Sequence, residues 1–281
     1  MNSFKISAFA DEITTDFAGQ IETLKSLGIS YIEPRGIDGE NISVISMEKA
    51  RSAAAMLDKA GIGVSSIGSP CGKQNITEDF KPHFEMFRGI CEKAKIFGTK
   101  NIRIFSFYVH KGEEDKYRSE ILARMEKMLE HAEKNSLTLC HENETGIYGE
   151  SPKRCLDIMT HFSGRMKTVF DPCNFIVEKH ESYPKAFNML REYIEYMHIK
   201  DADAEGRICP AAMGVGGIPE ILTQLKADGK DGIFLTLEPH LLSFEGLNQL
   251  SINYEDLTRK YTYSSPLAAF TAAAEALRKI I

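Results

Sequence analysis

The sequence predicts a single (β/α)₈ TIM barrel, and three observations carry that expectation. Short β-rich runs alternate with amphipathic stretches eight times along the chain. Few hairpin signals lie between them, so successive strands are expected to run parallel. The length, 281 residues, is the ordinary size of one such barrel, and no Pro/Gly/Ser-rich linker marks a boundary, so residues 1–281 read as one domain. A doubly wound sheet is the alternative, but no GxGxxG follows the first strand.

In chain order, the first strand is Lys5 to Phe9, followed by a helix whose apolar face is Phe17, Ile21, Leu24 and Leu27 and whose stop is Gly28. Ser30 to Pro34 is the second strand, and the helix after it stops at Gly61 before the third, Gly63 to Ile67. Gly98 ends the next helix ahead of the fourth strand, Asn101 to Phe105. Ile121, Leu122, Met125, Met128 and Leu129 then recur at helical spacing before the fifth, Leu137 to Glu142. Ser151-Pro152 is a cap followed by a first-turn proline, and its helix leads to the sixth strand, Lys167 to Phe170. Tyr196 to Ile199 is the seventh strand; Pro219 opens a helix that stops at Gly229, ahead of the eighth, Ile233 to Glu238. The long connection from His240 to about Ser264 is a candidate cap over the active face, and the alanine-rich run Leu267 to Ile281 completes the ring.

Composition excludes several functions. Hydrophobic residues at 43% and charged ones at 26% are those of a soluble globular chain. A formal charge of −6 has the wrong sign for a protein that lives on phosphate backbone, so no nucleic-acid partner is expected. No apolar run is long enough to span a membrane, and Asp11 and Glu12 interrupt the N-terminus before a secretory segment develops; a cytoplasmic protein is expected. Six scattered cysteines without a CxxC pair are read as reduced thiols, most of them buried.

In a parallel barrel every strand ends at one face, so strand ends converge however far apart they are in sequence. The last four strands end in Cys140-His141-Glu142-Asn143-Glu144, Phe170-Asp171-Pro172, His198-Ile199-Lys200-Asp201 and Leu237-Glu238-Pro239-His240. Glu142, Asp171, His198 and Glu238 thus form a set of three carboxylates and one imidazole, suited to one divalent ion: Mn²⁺ first, with Mg²⁺, Co²⁺ or Zn²⁺ as alternatives. Three convergent carboxylates repel one another, and a dication reverses that cost.

On these motifs, together with Gly146, Cys173-Asn174 and the Gly214-Val215-Gly216-Gly217 turn, the chain resembles the sugar phosphate isomerase/epimerase superfamily, the barrels related to xylose isomerase. The resemblance covers nearly the whole chain. It implies that Glu142, Asp171, His198 and Glu238 bind the metal and that the two glutamates match the proton-transfer pair of ketose epimerases. Members of the superfamily often carry a glutamate in the Gly-rich turn, which this chain lacks. The superfamily also includes dehydratases and a DNA-repair endonuclease, so the resemblance fixes the site better than the reaction.

The expected activity is a metal-dependent sugar or sugar phosphate isomerase or epimerase, moving a proton through an enediolate with Glu142, Glu238 and Lys200 as catalytic residues. A dehydratase (lyase) of a keto-polyol such as an inosose or dehydroshikimate is the alternative; a non-catalytic sugar-binding barrel is the third. An endonuclease is disfavoured by the charge and the few histidines. Lys200 lies two residues past His198, on the same side of a strand, where it polarises a substrate oxygen or pairs with Asp201 or Asp203. Arg35, Arg103, His110, Asn174 and His240 are candidate substrate-binding residues; the competing readings are a structural ion pair for the arginines, a surface or packing place for the histidines, and for Asn174 a hydrogen bond that supports the ligand residues from behind. The Gly-rich turn before Pro219 has the form of a phosphate loop or of a plain helix entry. Assembly as a homodimer is expected from the outer helices of such barrels.

Overall fold

The computed structural model describes residues 4–242 and 261–281. Eight parallel strands form the barrel: β1 (Lys5–Ala8), β2 (Tyr31–Ile32), β3 (Gly63–Val64), β4 (Asn101–Ile104), β5 (Thr138–Glu142), β6 (Lys167–Phe170), β7 (Ile194–Ile199) and β8 (Phe234–Leu237). β4 through β8 pair in chain order and β8 pairs with β1. The ring closes through the Glu33 amide, which donates to the Ala8 carbonyl at 3.0 Å, through β2 on β3, and through a parallel bridge between Ile67 and Ile102. The second and third strands are shorter than their sequence runs suggest, although single backbone hydrogen bonds, Ser65 to the Ile32 carbonyl and Gly68 to the Pro34 carbonyl, carry the pairing further.

Around the ring lie α1 (Phe17–Ser26), α2 (Met47–Ala60), α3 (Phe80–Ile96), α4 (Glu114–Lys134), α5 (Pro152–His161), α6 (Pro172–Val177), α7 (Phe187–Leu190), α8 (Ile218–Ala227) and α9 (Pro266–Arg278). Side-chain caps start them where the sequence offers a short polar residue: Asp16 accepts from the Gly19 amide at 2.7 Å, Ser46 from Lys49 at 3.0 Å and Ser265 from Ala268 at 3.1 Å. Gly61 closes α2 with φ +70°, a conformation that costs a side-chain-bearing residue about 1 kcal/mol or more. After β6 the expected single helix is broken into two short ones. Two antiparallel ribbons, Gly36–Ile37 with Glu40–Asn41 and Asp201–Ala202 with Ile208–Cys209, elaborate the loops after β2 and β7. The candidate cap between His240 and Ser264 falls largely on residues 243–260, outside the described residues.

Most apolar side chains bury between the helices and the outer barrel wall. Inside the barrel a separate small cluster of Cys140, Val169 and Tyr196, with Phe234 against it, plugs the floor. Above that floor the interior turns polar, and the site stands on it. All six cysteines are buried free thiols. No helix among the described residues is long and apolar enough to cross a membrane.

His83 on α3 accepts the Gly72 amide at Nε2, 2.7 Å away, pinning the loop after β3. Burial, helped by Arg124, lowers its pKa to about 4. A histidine held neutral contributes stability that is complete above the unfolded pKa and is lost as pH falls from about 6.5 toward 4. The unfolding free energy is expected to drop by about 3 kcal/mol from this residue between pH 7 and pH 4. Urea melts of the protein and of His83→Gln across that range test it: the variant should show the shallower acid slope.

Candidate functional site

Period-two alternation along each strand decides what enters the barrel. On β5 the inward residues are Cys140 and Glu142; on β7, Tyr196 and His198, with Lys200 next in phase; on β8, Phe234, Thr236 and Glu238. The lower members make the floor, and the upper ones reach the open end. Asp171 follows β6 directly and caps α6, its Oδ1 accepting the Asn174 amide at 3.0 Å.

The four predicted ligand residues come together. One ligand atom from each of Glu142, Asp171, His198 and Glu238 lies within 4.8 Å of the others, and all four residues are buried. His198 turns Nδ1 into the cluster, 2.8 Å from Glu142 Oε1 and 3.4 Å from Glu238 Oε2. Its Nε2 faces Glu33 Oε2 at 3.4 Å, and the Tyr196 hydroxyl donates to Glu33 Oε1 at 2.9 Å. The Phe9 ring packs edge-on against the imidazole. Glu33 thus orients the histidine from behind, an arrangement that fixes ring orientation at metal sites. Replacing Glu33 by glutamine is expected to weaken divalent-ion binding by about 10- to 100-fold while the four ligands stay in place, measurable by calorimetric titration with Mn²⁺.

The donor set fits a divalent ion on a direct observation. Glu142 Oε2 and Asp171 Oδ2 are buried without a hydrogen-bond partner among the described residues, and only the cations of Arg103, at 3.3 Å, and Lys200, at 3.1 Å, stand near them. Buried acceptors left so poorly satisfied are costly unless a cation completes them. Burial first, and then the neighbouring Glu142 and Glu238 charges, push the Asp171 carboxyl up to about 7 against the pull of Lys200. Burial also works against the Glu238 charge, yet Lys200, His240 and His198 hold that carboxyl well below its usual range. His198, whose charge burial opposes, is drawn well above its usual value by Glu142 and Glu33.

Lys200 does not pair with Asp201 or Asp203 as the competing reading had it. Its Nζ bridges Asp171 Oδ2 at 3.1 Å and Glu238 Oε2 at 3.2 Å, inside the cluster. Arg35 reaches Glu238 Oε1 at 3.0 Å and is itself gripped by both carboxylate oxygens of Asp11, at 2.9 and 3.1 Å. Arg103 approaches Glu142 and donates to the Ser69 carbonyl at 3.3 Å. Both guanidiniums lie over the Phe9 ring, at 4.4 and 5.1 Å. His240 is buried with Nε2 3.3 Å from Glu12 Oε1 and 3.5 Å from Glu238 Oε1.

Two candidates take the competing place. His110 is exposed in the loop before α4, a surface position. Asn174 is a framework residue: its side-chain amide donates to the Asn143 carbonyl at 2.8 Å, while the Asn143 side chain donates to the Asp171 carbonyl at 2.9 Å. That lattice holds the ends of β5 and β6 together, leaving the Asn174 amide group committed to backbone.

The sequence reading passed over several groups at this face. Asp11 and Glu12 gave no alternation signal, since both lie past β1 in a short 3₁₀ turn, Ala10–Glu12; burial, with Glu238 and Asp11 adding to it against Arg35, pushes the Glu12 carboxyl up to about 8. Lys73 and Glu144 form a buried ion pair at 3.0 Å at the rim, with Lys73 over the Phe105 ring. His141 is structural: its Nε2 meets the Ser106 hydroxyl at 3.0 Å, and burial lowers its pKa to about 3. Asp201 collects four backbone amides, those of Ala202, Ala212, Gly214 and Gly216, at 2.9 to 3.1 Å.

Together these elements form a closed parallel barrel with a carboxylate and imidazole cluster at its strand ends that could hold a metal ion. The sequence matches the family model described as xylose isomerase-like TIM barrel over residues 21–256, and the chain belongs to that family. No curated protein matches the sequence. Among solved structures, a probable 3-DHS dehydratase, AsbF, involved in petrobactin synthesis in Bacillus anthracis is similar at 15% identity, with 98% of each chain covered and a TM-score of 0.73. A D-allulose 3-epimerase from Methylomonas sp., solved with D-allulose, is 13% identical over 100% of this chain and 98% of its own, also at 0.73. A xylose isomerase-like TIM barrel protein from Mycobacterium smegmatis, solved with magnesium, is 14% identical over 100% of this chain and 96% of its own, at 0.71. At these identities the likeness is one of fold.

Proposed function

We propose that this chain is a single-domain, divalent-metal-dependent isomerase or epimerase that moves a proton on the carbon beside the carbonyl of a sugar or related polyol. The observation that carries the reading is the convergence of two buried glutamates, Glu142 and Glu238, on the one His198 nitrogen, with Asp171 completing a set of ligand atoms within 4.8 Å. Glu142, Asp171, His198 and Glu238 would hold the ion, Mn²⁺ in the first instance, with Mg²⁺, Co²⁺ and Zn²⁺ as alternatives. A divalent ion there supplies Lewis-acid stabilisation of the charge that develops on the substrate oxygens.

The chain's own groups do the rest. Glu238, kept ionised by Lys200 against its burial, is fit to accept a carbon-bound proton. Arg35 ties down Glu238 Oε1, so that Oε2 is the oxygen presented toward Lys200 and His198. Glu142 faces the same space from β5 and returns a proton from its own side. Two bases acting on two faces give epimerisation; one base acting alone gives aldose–ketose exchange. The Lys200 ammonium donates to a substrate oxygen. The buried Phe9 ring packs against His198 and lies under Arg35 and Arg103, giving the site an apolar wall.

A second reading, loss of water from a keto-polyol, is favoured by the position of Lys200. A donor 3.2 Å from the Glu238 carboxylate is placed to protonate a departing hydroxyl while that carboxylate takes the carbon proton. Incubation of the Mn²⁺-loaded protein with ketoses and keto-polyols in deuterated water tests both. Carbon-bound deuterium without loss of mass supports the isomerase or epimerase, and a product lighter by one water supports the lyase. No exchange with a firmly bound ion would move the chain to the third reading, a sugar-binding barrel. A homodimer joined through outer helices is proposed for its assembly, to be checked by light scattering.

A further inference from the structure

Three features of the open face bear on the charge of the substrate. The first is the Gly214-Val215-Gly216-Gly217 turn before α8, where a barrel of this kind would seat a phosphate on inward-pointing amides. Here the amides of Gly214 and Gly216 donate to the Asp201 carboxylate at 3.1 and 3.0 Å, with those of Ala202 and Ala212 completing its shell. An acidic side chain of the protein thus occupies the place of the anion. The packing around it is close: a Cβ on Gly214 would lie 2.4 Å from Asp201 Oδ1 and 2.1 Å from the Ala202 carbonyl oxygen. The cavity beside the turn, of 330 Å³, is bordered by Tyr183, Val215 and Pro219, and its one charged lining residue is an acid, Glu220.

The second feature is that the buried cations facing the metal cluster are already engaged by carboxylates. Arg35 meets Asp11 at 2.9 Å and Glu238 at 3.0 Å, Lys73 meets Glu144 at 3.0 Å, and Arg103 meets Glu142 at 3.3 Å. Lys200 meets Asp171 at 3.1 Å and Glu238 at 3.2 Å. The third is the balance itself. The three ligand carboxylates together with Asp11, Glu12, Glu33 and Glu144 set seven acids against these four cations and the two charges of a divalent ion. Among the described residues the face is therefore neutral at most, and negative when all seven acids are ionised.

We propose that the substrate is an uncharged polyhydroxy carbonyl compound, neither a phosphate ester nor a carboxylate, because among the described residues the face has no surplus positive charge with which to neutralise an anion. This rests on the reading of the site as one for proton transfer on sugars and names the substrate class within it. Paired acids and bases at the wall, such as Lys73 with Glu144 and Arg35 with Asp11, offer donors and acceptors side by side. That is the chemistry of hydroxyl recognition.

The test uses the full chain loaded with Mn²⁺ and compares neutral ketoses, D-fructose and D-allulose, with the phosphate monoester of fructose and with hydroxypyruvate. Binding is read by calorimetry and turnover by deuterium exchange at carbon. Neutral ketoses are expected to be favoured by at least about 30-fold in affinity or kcat/KM, the scale of one unfavourable charge in a partly shielded site, and inorganic phosphate is expected not to compete. Equal or tighter binding of either anion, or no binding of any neutral ketose, overturns the proposal. Exchange with the anions would leave the proposed reaction standing while this inference falls. Binding of neutral ketoses without exchange would do the reverse.

Discussion

Glu238→Gln is expected to lower kcat by about 10³-fold or more, with a smaller change in KM, because it removes the carboxylate best placed to accept a carbon-bound proton while keeping the side chain's shape. The prediction follows from geometry. Glu238 Oε1 is held by Arg35 at 3.0 Å, and Oε2 lies 3.2 Å from Lys200 and 3.4 Å from His198 Nδ1, so the carboxylate has one orientation and an enforced charge. Glutamine would place an amide donor against one of the cations. Steady-state kinetics on the substrate identified by deuterium exchange, with circular dichroism to verify folding, provide the measurement. A variant within tenfold of the wild type would remove Glu238 from the proton-transfer role and leave Glu142 as the only base. The same substitution at Glu142 separates the mechanisms. If both variants lose turnover to a similar degree, two bases act; if Glu142→Gln retains exchange at one carbon, a single base shuttles the proton.

The second large effect is on stability. Adding Mn²⁺ to chelator-treated protein is expected to raise the melting temperature by about 7 °C at an ion concentration about a thousandfold above Kd, since binding to the folded chain alone contributes about 4 kcal/mol. The physical basis is the buried set of three carboxylates, whose mutual repulsion Lys200 and Arg103 offset only in part. The Glu142→Ala, Glu238→Ala double variant should lose the ion and with it the shift. It should also lie closer in stability to the ion-free wild type than cavity formation alone would suggest, because the repulsion goes with the side chains. Thermal melts with and without Mn²⁺, alongside elemental mass spectrometry of the purified chains, decide it. A wild type that melts at the same temperature in both conditions and carries no ion under any loading would end the metal-dependent reading.

Much of this was legible in the sequence for a simple reason. Strand alternation and helix periodicity are local, and each of the eight units carries its own apolar pattern and stop signal, as Gly61 does at the end of α2. Because parallel strands all end at one face, Glu142, Asp171, His198 and Glu238 could be read as neighbours without any coordinates. Lys200 followed from a step of two past His198 along its strand and Arg35 from its place just past the second strand, and both reach the cluster. His110, in the loop before α4, and Asn174, in α6, lie past their strands, where alternation no longer applies and the backbone's own hydrogen-bond needs decide. Asn174 is spent on the Asn143 carbonyl for that reason.

By itself the sequence determined the barrel, the family pattern and the convergence of the four candidate ligand residues, since these depend on periodicity and on topology that parallel pairing imposes. Only the tertiary structure decided which charges meet. It put Lys200 between Asp171 and Glu238, Glu33 behind His198, Glu12 beside His240, and Asp201 in the Gly-rich turn. Partner choice among charged side chains depends on distances of a few ångströms between residues remote in sequence. Burial then sets how strongly each pair interacts, and no local pattern encodes either quantity.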